Sequence, residues 1–457
     1  MRRGRTTPGP EAWGFGANAA GHLLIGGCDT VSLVEKFGTP LHVVDEDGLR
    51  RTAQRFQRVF SDALGDVAVF FSYKTNCIPG ILRILHEEGV GAEAISHYET
   101  WLALELGLAG ERVLLNGVNK PLEALRLAVS RGIRGIHIDS MDEVDRLRSV
   151  MDQASGPVRV AVRVATGAGW KAQFGVEIES GEALAVYKRL AEIPGVVLAG
   201  IHVHLGTSIE SPALYAKAVR VMMDLRRDIE RATGTCLEYL DLGGGLPVPT
   251  VKEFGPKDAI LHKRLRFRAT PPDPSRLRLE DFAAAIALEL ERGEQRTGMS
   301  RPRIFFEPGR ALTSQAQALL LGVGVVKVRA DGSEIAICNG GRSTNAVPLG
   351  NEYHEVLLAN RLSAAPERAY TVVGGLCTPG DWTFMRKDLP PLVPGDLLSI
   401  MDAGAYFTSF ANDFAFPRPA IVGVREGKAR VLRHRESFEA MVAMDVGMAE
   451  ETGTAVS

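Results

Sequence analysis

Three short stretches carry residue types and spacings that could do chemistry together. An apolar, β-prone run, Val67-Ala-Val-Phe-Phe-Ser-Tyr-Lys-Thr-Asn76, delivers one lysine at its end. A lysine so placed can present its amine to a bound aldehyde, which makes Lys74 a candidate Schiff-base lysine. On its own, the same lysine could simply solvate a strand end. Two glycine-rich elements, Asp241-Leu-Gly-Gly-Gly245 and Glu307-Pro-Gly-Arg310, each directly follow another apolar run and have the composition of phosphate grips. Without side chains, Gly243, Gly244, Gly245 and Gly309 let backbone N–H groups approach an anion, and Arg310 can add a forked charge-assisted bond.

The elements that must position these residues follow a rhythm. Strand-like runs fall at 67–73, 91–96, 112–117, 135–139, 157–164, 198–205, 239–243 and 303–307. Between them, Pro79–Glu88, Tyr98–Leu106, Pro121–Arg131, Met141–Met151, Glu182–Ala191, Pro212–Ala232 and Leu279–Glu291 repeat apolar residues at three- and four-residue spacing, as helices do. Eight strands alternating with helices over about 240 residues match a (β/α)8 barrel, with an open doubly wound sheet as the alternative. In a barrel the polar residues at the strand ends, namely Lys74, Glu93 with Ser96, Asn116, Asp139, Arg163, His204, Gly243 to Gly245 and Glu307 to Arg310, would gather on one face. Singly, each has a structural explanation: Asp139-Ser140 could cap the next helix, and Arg163 could pair with a neighbouring carboxylate.

After about 317 the pattern changes to short β-prone runs punctuated by Gly and Pro: Leu319–Val328, Glu334–Cys338, Ala369–Val373, Leu397–Met401, Ile421–Val424 and Ala429–Leu432. The expected organisation is a loose tail (1–20), N-terminal strands packing with the β domain (21–45), a barrel (46–312), an all-β domain (313–444) and a second tail (445–457). With 457 residues and 45 % hydrophobic content the chain can bury a large core. Its 53 basic and 55 acidic side chains leave a formal charge of -2, so no global field points to nucleic acid or a membrane surface, and a small-molecule partner is expected. Five scattered cysteines form no CxxC or Cys/His cluster, which argues against a disulfide framework and a zinc site. Reduced thiols, no apolar signal segment and no spanning run suit the cytoplasm.

Taken in order, the motifs resemble those of the fold-type III pyridoxal-phosphate (PLP)-dependent decarboxylases, the group of diaminopimelate, ornithine and arginine decarboxylases. Tyr73-Lys74-Thr75-Asn76 is similar to the family's Y-x-K-x-N motif, and Gly200-Ile-His-Val-His-Leu-Gly-Thr207 to its G-x-H-x-H-x-G-S element. Leu242-Gly-Gly-Gly245, Glu307-Pro-Gly-Arg310, Gly374-Gly-Leu-Cys377 with Gly380-Asp381, and Gly404-Ala-Tyr406 complete the set. The resemblance runs from about 22 to 440. It implies an alanine-racemase-like barrel plus a C-terminal β domain, and PLP as cofactor on Lys74. It also implies that Glu307 faces the pyridine nitrogen to keep the electron sink protonated. By family position His204 stacks on the ring, Thr207 and Tyr406 add hydroxyls at the phosphate, and Glu93 and Arg163 join the cofactor-binding set. Cys377 resembles the family's cysteine proton donor, which arrives from a partner subunit, so a homodimer with composite sites is implied. By residue type alone, His204 could be a satisfied strand histidine and Cys377 a buried apolar thiol.

The chain departs from the family's diaminopimelate branch in places. Cys377-Thr378-Pro379 stands where Cys-Glu is usual, and Ala346-Val-Pro-Leu-Gly350 replaces an Arg-Pro-x-Leu-Tyr element before Tyr353-His354-Glu355. Without that Arg, Tyr and Glu, a distal ammonium-carboxylate head loses its partners. The expected substrate is therefore a modified or carrier-bound amino acid of secondary metabolism, with diaminopimelate itself as the alternative. Glu93 stands where Asp is usual, and Ala172-Gln-Phe-Gly175 where Ser-Lys-Phe-Gly is usual. Between 255 and 278, Lys or Arg at 257, 263, 264, 266, 268, 276 and 278 face only Asp258 and Asp273. That segment is either a solvated loop on the catalytic face or a docking patch for an acidic carrier protein. A racemase would weaken the electron sink with an arginine where Glu307 stands, and a non-catalytic regulator on this scaffold would tolerate loss of the lysine and the phosphate grips.

Overall fold

Buried parallel strands read as unbroken apolar runs, and each of the eight runs is a strand in the computed structural model, which describes residues 8–167, 169, 173–263, 269, 271–273, 278–345 and 351–446. We number them β1 (Val67–Ser72), β2 (Gly91–Ala94), β3 (Val113–Leu115), β4 (Gly135–Ile138), β5 (Val158–Ala165), β6 (Val196–His202), β7 (Tyr239–Asp241) and β8 (Arg303–Phe306). All neighbours are parallel, and β8 returns to β1 through Phe306 opposite Val69, so the sheet closes. Register then fixes which side chains meet. Ser72 lies opposite Glu93, and His202 lies opposite Arg163 on one side and Asp241 on the other. A closed parallel barrel puts all eight strand C-termini at one end, where the polar residues collect.

The other end is plugged by side chains. Phe70, Leu114, Ala161, Ala199, Tyr239 and Phe305 form a buried layer in which the Tyr239 and Phe305 rings stack at 4.1 Å. Tyr239 fits because β6 offers a bare backbone: a Cβ on Gly200 would stand 2.4 Å from the Tyr239 ring. The seven expected helices are present, with shifted ends. The one begun at Met141 stops at Arg148, while the one begun at Leu279 continues to Thr297 and ends on Gly298 in the left-handed region. A further helix, Glu46–Leu64, precedes β1 and buries Leu49, Ala53, Phe56, Phe60 and Leu64 along one face.

The chain divides into two units. The barrel unit comprises 46–253 and 271–316; the other comprises 1–45, 254–270 and 317–457. In the latter, one sheet path runs through Trp382–Leu389, Arg368–Val373, Glu334–Cys338, Gln317–Val328, Leu41–Asp45, Ala420–Arg425 and Lys428–Arg433. The N-terminal strand Leu41–Asp45 is inserted between the strands of the C-terminal region, antiparallel to Gln317–Val328 and parallel to Ala420–Arg425. Strand Trp382–Leu389 escapes the apolar-run criterion because Arg386, Lys387 and Asp388 interrupt it. Lys387 is nonetheless buried, where it donates to the Tyr353 hydroxyl at 3.0 Å and pairs with Glu355. Of the basic 255–278 segment, Pro256–Lys263 is a helix grouped with this β unit and not with the barrel; Arg264, Arg266, Arg268 and Arg276 lie outside the described residues. Among the described residues no helix is long and apolar enough to cross a membrane.

The Gly200 contact gives a direct stability test. Gly200→Val should lower the urea midpoint by the equivalent of about 1–3 kcal/mol at unchanged m-value, because the added side chain displaces the Tyr239 ring. Val197→Ala, on an exposed position of the same strand, should stay within about 0.5 kcal/mol of the parent.

Candidate active site

β1 ends at Ser72 and breaks into a tight turn, Tyr73–Thr75, closed by Asn76 N–H to the Tyr73 carbonyl at 3.0 Å. Helix Pro79–Glu87 follows, with proline at the first position where its missing N–H costs nothing. The turn sends Tyr73 into the core and Lys74 to the barrel mouth. Tyr73 is fully buried with its hydroxyl 2.7 Å from His86 Nε2, while the Lys74 side chain keeps 33 % of its exposure. Lys74 Nζ donates to Ser72 Oγ at 2.6 Å and to Glu93 Oε2 at 2.9 Å, and Ser72 Oγ donates to the same carboxylate.

From Glu93 a chain of bonds crosses the barrel. Asn116 Nδ2 donates to Glu93 Oε1 at 2.9 Å and to Glu307 Oε1 at 2.6 Å. His202 Nε2 lies 3.2 Å from Glu307 Oε2, and burial holds this imidazole well below its usual range, so it is neutral. Glu93 and Glu307 are both buried. Lys120, a fully buried lysine of the barrel, is engaged with Glu143 at 2.8 Å and the Gly117 carbonyl at 2.8 Å.

The glycine loop is drawn against its neighbours. Gly243 and Gly245 take φ of +66° and +89°, and a Cβ on either would fall within 2.4 Å of a carbonyl oxygen, that of Val203 or of Gly206. A Cβ on Gly244 would meet the Glu307 carbonyl at 2.4 Å, which joins this loop to the start of the second grip. Gly244 N–H donates to His204 Nδ1 at 3.2 Å, fixing that ring. Surrounding protein, then the Lys74 charge, lower His204 to about 3, so it too is neutral. At the second grip Gly309 packs on Thr75, whose buried Oγ1 has no described hydrogen-bond partner, and the Arg310 side chain is buried. These features fit PLP: bare backbone and a guanidinium for a phosphate, an accepting carboxylate for a ring N–H, and an amine for an aldehyde.

Arg163 lies over the Phe174 ring at 4.4 Å with Nε 4.0 Å from Asp139 Oδ1, and Asp139 also accepts Gly175 N–H at 3.2 Å. Burial lowers the Arg163 guanidinium and raises the Asp139 carboxyl. The capping role anticipated for Asp139-Ser140 falls to Ser140, and Ser96 caps the helix His97–Glu105 in the same manner. Thr207 is half-buried after Gly206, at φ +142°. Cys377 and Tyr406 belong to the β unit. Cys377 is exposed on a loop shaped by Asp381, whose carboxylate accepts the N–H groups of Arg342 at 2.6 Å and Leu376 at 2.7 Å. Tyr406, at φ +69°, precedes the short helix Phe407–Phe410. Ala172 and the 346–350 element lie outside the described residues. Ser72, His137, His202 and Asp241 join the cluster without having been given a role from sequence, although Ser72, His202 and Asp241 lie within the motif stretches quoted there.

The Tyr73 contact makes the lysine turn sensitive to acid. His86 Nδ1 faces the Val90 carbonyl at 2.8 Å, so that nitrogen carries the hydrogen and Nε2 accepts from Tyr73. Burial lowers the imidazole to about 4 from an ordinary 6.5. The unfolded chain therefore binds this proton more readily. The stability it contributes is complete above pH 6.5 and falls by about 1.4 kcal/mol per pH unit as pH drops toward 4. Urea midpoints between pH 7 and 4.5 should carry this contribution beside those of the other buried histidines, and His86→Gln should reduce the slope by about 1.4 kcal/mol per pH unit.

Residues 46–314 match the model of the pyridoxal-dependent decarboxylase pyridoxal-binding domain. The chain is 34 % identical to the diaminopimelate decarboxylase of Methanothermobacter thermautotrophicus over 434 residues, covering 92 % of this chain and 95 % of that one. It is 33 % identical to that of Actinosynnema pretiosum subsp. auranticum over 441 residues, 93 % of each. Among solved structures, the M. jannaschii diaminopimelate decarboxylase with L-lysine superposes with a TM-score of 0.83 at 26 % identity, covering 95 % of this chain and 98 % of that one. A closed barrel whose amine, buried carboxylate and glycine loops fit PLP, and whose sequence is shared nearly end to end with these enzymes, belongs to the fold-type III PLP-dependent amino-acid decarboxylases.

Proposed function

We propose that the chain removes a carboxyl group from diaminopimelate, giving lysine. What supports this reading is the 34 % and 33 % identity, over more than nine-tenths of the chain, to relatives named for that reaction. Bound PLP supplies the electron sink for the pair left when CO2 departs. The chain's own residues do the rest. Gly243, Gly244, Gly245, Gly309, Arg310 and Thr207 would hold the phosphate, His204 and Arg163 would fix the ring, and Tyr406 of a second copy of the chain would add its hydroxyl, as the family resemblance implies. Glu307, by the family resemblance, would face the ring nitrogen. Lys74 exchanges protons at Nζ with Ser72 and Glu93, its bonded neighbours. As the family resemblance implies, Cys377 Sγ, brought by a second copy of the chain in a homodimer, would return a proton to the substrate Cα.

One observation favours a second reading, a modified or carrier-bound amino acid. At the Cys377 loop Thr378 offers a hydroxyl where a carboxylate is usual, and among the described residues it accepts Gly380 N–H at 3.4 Å. The nearby Asp381 carboxylate is turned onto backbone N–H groups, and the exposed Arg342 donates to the Gly380 carbonyl at 3.1 Å. This loop therefore presents a cation, and the Asp381 carboxylate is already engaged by backbone N–H groups rather than turned toward a distal ammonium.

Steady-state CO2 release separates the two readings. With diaminopimelate, kcat/KM should reach about 10⁴ M⁻¹s⁻¹ or more, in the ordinary enzyme range, and exceed that for ornithine by at least about 100-fold. A value below about 10² M⁻¹s⁻¹, with efficient turnover of an acylated or carrier-loaded amino acid, would replace the first reading by the second.

A further inference from the structure

Asn116 joins the two buried carboxylates of the barrel mouth, yet little holds the amide itself. Its Nδ2 reaches Glu93 at 2.9 Å and Glu307 at 2.6 Å, while its buried Oδ1 meets no hydrogen-bond donor among the described residues. Its place is therefore set by its backbone. The Asn116 N–H donates to the Ala94 carbonyl at 2.7 Å, and the chain then leaves β3 through Gly117 at φ +106°, where a Cβ would stand 2.6 Å from the Ile95 carbonyl. The far end of this short loop is Lys120, whose side chain is fully buried.

Lys120 Nζ folds back on its own loop to donate to the Gly117 carbonyl at 2.8 Å, and it reaches both oxygens of Glu143, at 3.1 Å and 2.8 Å. The same carboxylate accepts two backbone N–H groups, that of Lys120 on Oε1 at 3.2 Å and that of Asp139 on Oε2 at 2.8 Å. All its described partners are donors, so an amide in its place would set an NH2 against one of those N–H groups. Arg146, on the same helix as Glu143, adds bonds to Asn119 Oδ1 at 2.8 Å and to the Lys120 carbonyl at 3.4 Å. One carboxylate thus ties the loop that begins at Asn116 to the end of β4, where Asp139 faces Arg163.

Capping the helix Met141–Arg148 does not account for the lysine. Ser140 and Glu143 form a Ser-x-x-Glu cap there, and Ser96 and Glu99 form its counterpart after β2, with Glu99 accepting the Ile95 N–H at 2.7 Å as Glu143 accepts that of Asp139. Glu99 does this without an ion pair among the described residues, so the cap needs no cation. A buried ammonium is tolerated only where its donors are all used, and here they are used on the loop after β3 and on Glu143.

We propose that Lys120 and Glu143 are positioning residues of the active site: their buried ion pair locks the loop after β3 to the end of β4 and so sets the Asn116 amide between Glu93 and Glu307. The functional part of this inference rests on Glu93 and Glu307 serving the cofactor, and it is independent of which amino acid is the substrate.

A double-mutant cycle on the PLP dissociation constant of the full chain separates positioning from general support of the fold. Asn116→Ala should weaken PLP binding about tenfold or more in the wild-type background. In Lys120→Met/Glu143→Gln, which removes the pair without leaving a buried charge unpartnered, the same change should cost less than about threefold, because the amide has already lost its place. Gly200→Val, which disturbs the apolar plug instead of the loop, should leave the Asn116→Ala effect at its wild-type size. Amide hydrogen exchange supplies a reading that needs no cofactor: in the pair variant it should rise about tenfold or more over 116–120 and stay within about threefold of wild type in β8. Equal Asn116→Ala effects in the wild-type and pair-variant backgrounds overturn the proposal, as does unchanged exchange over 116–120 or an Asn116→Ala protein that binds PLP like wild type. Should the pair variant fail to fold, Glu143→Gln alone runs the same cycle with the same deciding outcomes. Diaminopimelate enters none of these measurements, so the result leaves the substrate reading to its own test.

Discussion

The Glu307 carboxylate is the constraint on which the rest depends. Buried in a closed barrel, its two oxygens meet polar groups from other strands, Asn116 Nδ2 after β3 at 2.6 Å and His202 Nε2 on β6 at 3.2 Å. Those strands are not neighbours in the sheet, so the bonds exist only because the barrel closes with one register. The same Asn116 amide extends the contact to Glu93 and thereby to Lys74. An amine, two carboxylates and a glycine loop are held as one polar layer, with neutral histidines filling the spaces where further charge would repel.

Packing and electrostatics meet at Tyr239. Its ring stacks on Phe305 in the plug of the barrel, and its hydroxyl faces His137 Nε2 in the polar layer above. The bare backbone at Gly200 admits the ring. The polar layer thus rests on an apolar floor through one amphipathic side chain.

Much of this was legible in the sequence, for a physical reason. Strands buried on both faces read as unbroken apolar runs, so all eight could be placed, and polar residues ending such runs had to share one face once the barrel closed. Lys74, Glu93, Asn116 and Glu307 are of this kind. What the sequence hid depends on pairing. Trp382–Leu389 looks like a charged loop because the burial of Lys387 depends on Glu355 and Tyr353, distant in the chain. Helix Glu46–Leu64 carries apolar residues at 49, 53, 56, 60 and 64, a spacing that could have revealed it, but its many charged residues obscure the stripe. Ser72 and Asp241 acquire their significance from cross-strand partners that no local pattern names. The substrate lies furthest from what a pattern can say: Thr378 points away from diaminopimelate, whereas the relatives point toward it.

The central claim is that the turn after β1 delivers the amine that carries the cofactor. Borohydride reduction of the PLP-loaded protein, followed by proteolysis and mass spectrometry, tests it most directly. The account predicts a phosphopyridoxyl group on the peptide containing Lys74, with none on the peptide containing Lys120, whose amine is buried against Glu143. Stoichiometric label on Lys120 or any lysine other than Lys74 would contradict it.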